Sequence, residues 1–378
     1  MRYERMPIEI ESPEEYGYDK IKNNLSESSV TDASLKTLEL QIPDLILLYN
    51  EHRGNTGLRQ LIAKDAEVEH NDVLITSGAA GALFIIATSQ LGPGVIGQPG
   101  GSQVAGKHLV VVRPNYATNL ETPKAIGCDV SHMEVTFETG FQPDLDAIAS
   151  SIKSSTRMVS VTCPHNPTGT SMSLKALKQL VTLTKERNVL LLVDETYRDI
   201  SYVDKLPVAA SLGDHVISVS SLSKSFGMPG LRIGWIITRN KALHETFLAA
   251  KEQISISCSV IDEWVAEQVL SKREEILSRT QKEMSERLLI VEAWIEGEDA
   301  VEWVKPTGGV VCFPRIKKDP PGGWNNFYQR LLSEYGTCVG PGHWFGLPDN
   351  YFRLGYGWPT RDELTAGMNA ISSALKDL

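Results

Sequence analysis

The sequence predicts an α/β protein: a large unit built on a mostly parallel sheet with helices on both faces, and a smaller α+β unit after it. Three observations lead there. Short apolar runs alternate with helix-period stretches through the middle of the chain. Those runs are continuous rather than alternating, as strands buried on both faces require. After Trp235 the pattern changes to longer amphipathic helices, then to a proline- and glycine-broken stretch and a final helix.

In order, DVLITSG reads as a strand and AAGALFIIATSQL as the helix behind it. HLVVVRP is the next strand, and RMVSVTCP another, followed by the helix SLKALKQLVTLTKERN; VLLLVDE and HVISVSS complete the series. From roughly Asn240 to Glu296 we expect a long connecting helix, followed by VEWVKPTGGVVCFPRI and a terminal helix over 361–378. The predicted organisation is an N-terminal segment, 1–45, packing with the small domain; a large domain, 46–255; and a small C-terminal domain, 256–378. The glycine-rich stretch GPGVIGQPGGSQVAGK, 92–107, reads as a flexible surface loop without chemistry.

Composition narrows the partners. The chain has 378 residues, 42% hydrophobic and 22% charged, enough for one large core and a smaller packed unit. The net charge of −10 is spread along the length, which argues against a surface that tracks nucleic acid and for a small-molecule partner. Five cysteines, Cys128, Cys163, Cys258, Cys312 and Cys338, lack the paired short spacing of a metal site or a disulfide frame, so a reducing cytoplasm is expected. MRYERMPIEIESPEEYGYDK has no apolar core of a signal peptide, and runs such as ALFIIA and VLLLV are too short to span a bilayer.

Three of the apolar strands end in polar clusters: VSVTC runs into PHNPTG, VLLLV into DETY, and VISVS into SLSK. Ligands of open parallel sheets bind at the carboxyl ends of the strands, so these clusters should converge. One cofactor, pyridoxal 5′-phosphate (PLP), asks for such a set. It needs an amine for a Schiff base and an anion to keep its pyridine nitrogen protonated. Lys224 and Asp194 suit those roles, since a carboxylate leaving a buried strand is costly without a counter-ion. The phosphate needs donors. Thr76 and Ser77 precede a helix opening on Gly78, Ala79 and Ala80, whose N–H groups are open to an anion, while Ser221 and Arg232 flank the lysine.

The run SLSKSFGMPGLRIGW, residues 221–235, resembles the lysine signature of class I/II aminotransferases, PLP enzymes of fold type I. The resemblance extends over LLYNEHRGNTGLRQLIA, ITSGAAGAL, RPNY, PHNPTG, DETY and YFRLGYG, in the family's order. It implies an internal aldimine on Lys224, which also shuttles a proton to a quinonoid intermediate. It further implies Asp194 on the pyridine nitrogen, Tyr197 and Asn166 on the phenolic oxygen, and Tyr116 on the ring face. Ser221, Arg232 and the N–H groups of Gly78, Ala79 and Ala80 would hold the phosphate. Tyr49 would reach the phosphate of a neighbouring subunit in a homodimer with shared sites, and Arg353, with Asn166 and Ser28 beside it, would bind the substrate carboxylate. The implied activity is amine transfer between a small L-amino acid and a 2-oxo acid.

The N-terminal stretch NLSESSVTD departs from the family, with Ser28 or Ser29 where a glycine is common and no proline after it. It resembles instead PLP enzymes that eliminate a β-substituent and cyclise, such as capreomycidine synthase-like proteins. A lyase, synthase or cyclase is therefore the alternative, and a non-enzymatic sensor of the same fold a third. His343 and Trp344 in GHWFG are candidate discriminators on the substrate side; Glu27 reads as a solvated glutamate that could also favour a cationic side chain.

Overall fold

The computed structural model describes residues 2–92 and 108–376. All but the first residue of the glycine-rich stretch 92–107 lies outside the described residues. The centre of the fold is a sheet of seven strands. In chain order these are β1 (Val73–Ser77), β2 (His108–Arg113), β3 (Asp129–Glu134), β4 (Thr156–Thr162), β5 (Leu190–Asp194), β6 (Val216–Ser221) and β7 (Ile233–Ile237). In space they run β1-β7-β6-β5-β4-β2-β3. Neighbours pair in parallel except at β7, which is antiparallel to both β1 and β6.

The apolar runs read from the sequence are β1, β2, β4, β5 and β6. Their continuous hydrophobicity serves two faces. In β5, Leu191 and Val193 pack with Val159, Val161, Leu177 and Leu180, while Leu190 and Leu192 pack with Ile86, Ile217, Val219 and Phe247 on the other side. Each fully buried aliphatic side chain contributes roughly 1.5–3 kcal/mol. The helix Leu174–Glu186 covers the first face; Ser173 caps its start by accepting from the Ala176 N–H at 3.1 Å, and Leu177, Leu180, Val181 and Thr184 form its buried stripe. Gly78–Leu91 and Lys241–Ser255 cover the second face. Two strands of this sheet were not read from the sequence. β3 is an edge strand whose DVSHME mostly faces solvent, and β7 lies inside the lysine-signature run.

The expected long connecting helix is in fact three helices, Lys241–Ser255, Val260–Ser271 and Arg273–Gly297. The first ends at Ile256, whose φ of 56° cannot continue a helix, and Ser259 caps the second by accepting from the Asp262 N–H at 3.3 Å. Val265, Ala266, Val269 and Leu270 of the second pack against Leu58, Ile62, Ile75 and Trp235, so the core around β1 and β7 draws on residues beyond 255. Met284, Leu288 and Val291 of the third join a separate core with Val311, Phe352, Leu354, Leu364 and Met368. Leu25 from the N-terminal segment is buried there too, and Asn23–Asn24 pairs in parallel with Thr337–Cys338.

The segment then crosses to the large sheet. Val30 N–H donates to the Lys224 carbonyl at 3.1 Å, Thr31 to Gly357 at 3.1 Å and Ala33 to Gly227 at 2.7 Å. These bonds press residues 26–29 against the loop that carries Lys224.

Candidate active site

Strand register brings the site together. Thr162 is level with Asp194, and Asp194 with Val219, so β4, β5 and β6 end at one edge of the sheet. Asp194 closes β5, and Asn166 and Lys224 follow the adjacent ends of β4 and β6. Because β7 runs the other way, its first residue Ile233 sits opposite Ser77 at the end of β1. Arg232 and the helix opening at Gly78 therefore arrive at the same edge. Ser28, Ala79, Ala80, Tyr116, Asn166, Asp194, Tyr197, Ser221, Lys224 and Arg232 line a cavity of about 130 Å³ there, with Thr162, Thr196, Ser223 and Pro229. Arg353 stands one contact behind Asn166. Tyr49 is elsewhere, on the surface and 76% exposed.

Lys224 Nζ donates to Ser28 Oγ at 2.9 Å. Burial pulls its pKa below the ordinary 10.5, with Glu27 opposing and Arg353 adding to the shift, so the amine moves toward its neutral, nucleophilic form. Asp194 is 4% exposed. One oxygen accepts from the Thr196 N–H at 3.1 Å and hydroxyl at 2.6 Å, the other from Asn119 Nδ2 at 3.3 Å. These donors are neutral. Burial raises the carboxyl above 3.8, and the Thr196 and Asn119 bonds and the charge of Lys224 pull it back only in part.

Asn119 is itself held by Asn115 Oδ1 at 3.2 Å, which also accepts from the Tyr116 N–H at 2.7 Å and Thr162 Oγ1 at 2.9 Å. This network was not read from the sequence, although two signals were available. Thr196 follows Asp194 at the two-residue spacing of an Asx turn, and Asn115 and Asn119 have the i, i+4 spacing of one helix face.

Tyr197 donates its hydroxyl to the Ser28 carbonyl at 2.8 Å, and burial pushes the phenol up to about 12. Arg353 is 4% exposed. Its Nη1 donates to Asn166 Oδ1 at 3.2 Å and its Nη2 to the Ser26 carbonyl at 2.7 Å, while Nε is buried without a hydrogen-bond partner. No acidic side chain makes a salt bridge with this guanidinium among the described residues. A buried charge so placed calls for an anion from outside the chain.

Gly78 has φ +70°, and a Cβ on it would lie 2.4 Å from Arg232 Nη2. A Cβ on Gly234 would lie 2.5 Å from Gly78 C and 2.6 Å from Ala79 N. Only glycines let the guanidinium and the N-terminus of the helix meet, and the result is an anion cradle. His343 does not reach this cavity. Its Nδ1 meets Asp349 and its Nε2 meets Glu11, each at 2.8 Å, and Trp344 Nε1 donates to Glu11 at 2.7 Å, so the pair fastens the N-terminal segment.

A family model described as aminotransferase class I and II matches residues 21–371. The chain belongs to that family. Its members depend on PLP. Capreomycidine synthase from Streptomyces vinaceus is 31% identical over 270 residues, covering 71% of this chain and 68% of that protein. A PLP-dependent aminotransferase from Streptococcus suis 89-1591 superposes with a TM-score of 0.86 at 27% identity, covering 95% of both chains. The PLP-dependent cyclase OrfR superposes with a TM-score of 0.85 at 26% identity, covering 100% of this chain and 98% of the other. The residues of the cavity fit the cofactor: a glycine-walled cradle beside Arg232, a buried carboxylate bonded only by neutral donors, and a lysine with a lowered pKa.

Proposed function

We propose that the protein is a PLP-dependent aminotransferase that moves the amine of a small L-amino acid to a 2-oxo acid. One observation carries the reading: an amine, a buried carboxylate and a buried guanidinium with no acidic partner, Lys224, Asp194 and Arg353, surround one edge of the sheet. PLP bound there supplies the electron sink for the bond broken at the substrate Cα. Arg232, Ser221 and the N–H groups of Gly78, Ala79 and Ala80 hold the phosphate, and Tyr116 forms a wall for the ring. Asp194 keeps a positive charge on the ring nitrogen. Arg353 grips the substrate carboxylate through a two-bond pair, oriented by Asn166 and the Ser26 carbonyl. Lys224 Nζ, steered by Ser28, would take the proton from the substrate Cα.

A homodimer belongs to this reading. Ile46, Leu47, Leu48 and Tyr49 are 78%, 73%, 58% and 76% exposed, a row of apolar side chains that a second copy would cover. Tyr49 would then serve the partner's phosphate site. Cys163, Cys258, Cys312 and Cys338 form no disulfide among the described residues, which supports a reducing cytoplasm. No helix among the described residues is long and apolar enough to cross a membrane.

A second reading, elimination of a β-substituent with cyclisation, is favoured by the Ser28 hydroxyl on Lys224 and by the likeness to a synthase and a cyclase. The same residues serve both. The test is to add single amino acids to the PLP-loaded enzyme without any 2-oxo acid. Conversion of the cofactor to its amine form, with delivery of that amine to a 2-oxo acid added later, supports transfer. Ammonia or another leaving group released without an acceptor supports the second reading. Silence toward every amino acid rejects both.

A further inference from the structure

The turn 26–29 serves the site mostly through backbone and hydroxyl groups: the Ser26 carbonyl takes Arg353, and Ser28 takes Lys224 and Tyr197. Between them stands Glu27. Its backbone is fixed, since a Cβ on Gly355 would lie 1.7 Å from the Glu27 carbonyl oxygen. Its carboxylate accepts from the Tyr18 hydroxyl at 3.1 Å. Tyr18 is stacked on Trp358 with ring centroids 6.1 Å apart, and Trp358 Nε1 is anchored on Asp32 at 2.8 Å.

Tyr18 is also in hydrogen-bonding reach of Glu14, and the two glutamates raise its pKa together after burial has done so. Burial raises Glu27 too; the charge of Lys224 opposes this, and Glu14 adds to it. Neither glutamate makes a salt bridge among the described residues, although Glu15 next door pairs with Arg5 at 2.7 Å. The cation nearest in effect to Glu27 is Lys224, whose amine is committed to the cofactor in the loaded enzyme. That leaves two like charges beside Lys224, one of them half-buried and offset only by the Arg353 guanidinium that the substrate carboxylate would occupy, a costly arrangement. The buried, unpartnered Nε of Arg353 independently marks where the anionic end of a ligand belongs.

We propose that Glu27, supported by Glu14 and Tyr18, is the side-chain subsite of the enzyme and selects L-amino acids whose side chain ends in an amine or a guanidine. With its carboxylate on Arg353 and its α-amine at the Lys224 position, such a substrate places its distal cation against Glu27. This inference rests on the amino-acid reading above and deepens it.

The experiment titrates the PLP-loaded enzyme at low salt with two matched pairs, L-arginine against L-citrulline and L-ornithine against L-norvaline, following the cofactor absorption. At least one pair should show the cation binding roughly tenfold or more tighter, the worth of a charge-assisted hydrogen bond. The responding pair distinguishes guanidine from amine. In Glu27→Gln that ratio should fall to within about twofold, and in Glu14→Gln by a smaller step. The ratio is taken within one variant, so a folding defect, which weakens both members, does not imitate the result. Ratios near one for both pairs, or a ratio unchanged in Glu27→Gln, overturn the subsite while leaving the amino-acid reading intact. If no amino acid perturbs the cofactor, that reading falls and the subsite with it.

Discussion

Changing Asp194 to asparagine exchanges one oxygen for an amide nitrogen at a position that is 4% exposed. The bonds from Thr196 at 3.1 and 2.6 Å survive, because the remaining oxygen still accepts. On the other side the new NH₂ faces Asn119 Nδ2 across what was a 3.3 Å bond, and one hydrogen bond worth about 1 kcal/mol is lost. Against this, a buried charge disappears. The Asp194 pKa is raised above 3.8, so the native state holds its proton more tightly than the unfolded chain. The carboxylate thus costs stability at pH values above its folded pKa, and the cost vanishes as pH falls below 3.8. The two effects oppose each other at neutral pH, and the cofactor-free variant should melt within a few degrees of the parent. Catalysis should behave differently. Loss of a charge aimed at the reacting system costs about 2.7–4 kcal/mol, or roughly 10²–10³ in kcat. The assay pairs the melting of cofactor-free protein with kcat at saturating PLP. A folded Asp194→Asn enzyme within about tenfold of the parent's kcat, or one restored by more PLP, would refute the charge-holding role.

Gly78→Ala should cost about 1–3 kcal/mol of stability and at least roughly tenfold in PLP affinity, because its Cβ would lie 2.4 Å from Arg232 Nη2 at a φ of +70°; equilibrium dialysis of PLP checks it. Arg353→Lys should lower kcat/KM by about ten- to a hundredfold for every substrate alike, since a point charge cannot reproduce the paired contact; steady-state kinetics on several amino acids read this. The raised pKa of His343 gives a pH signature. Burial lowers it, but the bonds to Glu11 and Asp349 outweigh that, so its contribution is complete below the ordinary 6.5 and is lost as pH rises through the higher folded value. Hydrogen exchange of residues 2–20 should quicken over that rise in the parent and be pH-flat, beyond the intrinsic rate, in His343→Gln; at 40% exposure the effect is under about 1 kcal/mol.

The large sheet was legible because its strands are apolar on both faces and punctuated by polar ends, and those ends carried Asn166, Asp194 and Lys224. β3 was hidden by its solvent-facing polar residues, and β7 by its place inside a run that reads first as chemistry. The small unit uses strands such as Val311–Cys312 and Gly340–Pro341, too short for any periodicity to show. The break at Ile256 was invisible for another reason: a β-branched residue at φ 56° is a tertiary outcome that no local propensity foretells. In the site, the charged residues and the neutral Ser28 and Asn166 that hold Lys224 and Arg353 were read, while the neutral residues that hold Asp194 were not. Asn115, Asn119 and Thr196 carry only weak local spacing signals, and it is the bonds converging on Asp194 that single them out. The contribution of Tyr18 depends on the N-terminal segment folding back against Trp358, a contact of high sequence separation.

The proposed chemistry turns on Lys224 as the residue that holds the cofactor. Borohydride reduction of the PLP-loaded protein followed by peptide mapping tests it directly. A single stable pyridoxyl adduct should form, on the peptide that contains Lys224, and none in Lys224→Ala. An adduct fixed on any other lysine of the native protein, or a Lys224→Ala enzyme that keeps its turnover, would contradict it.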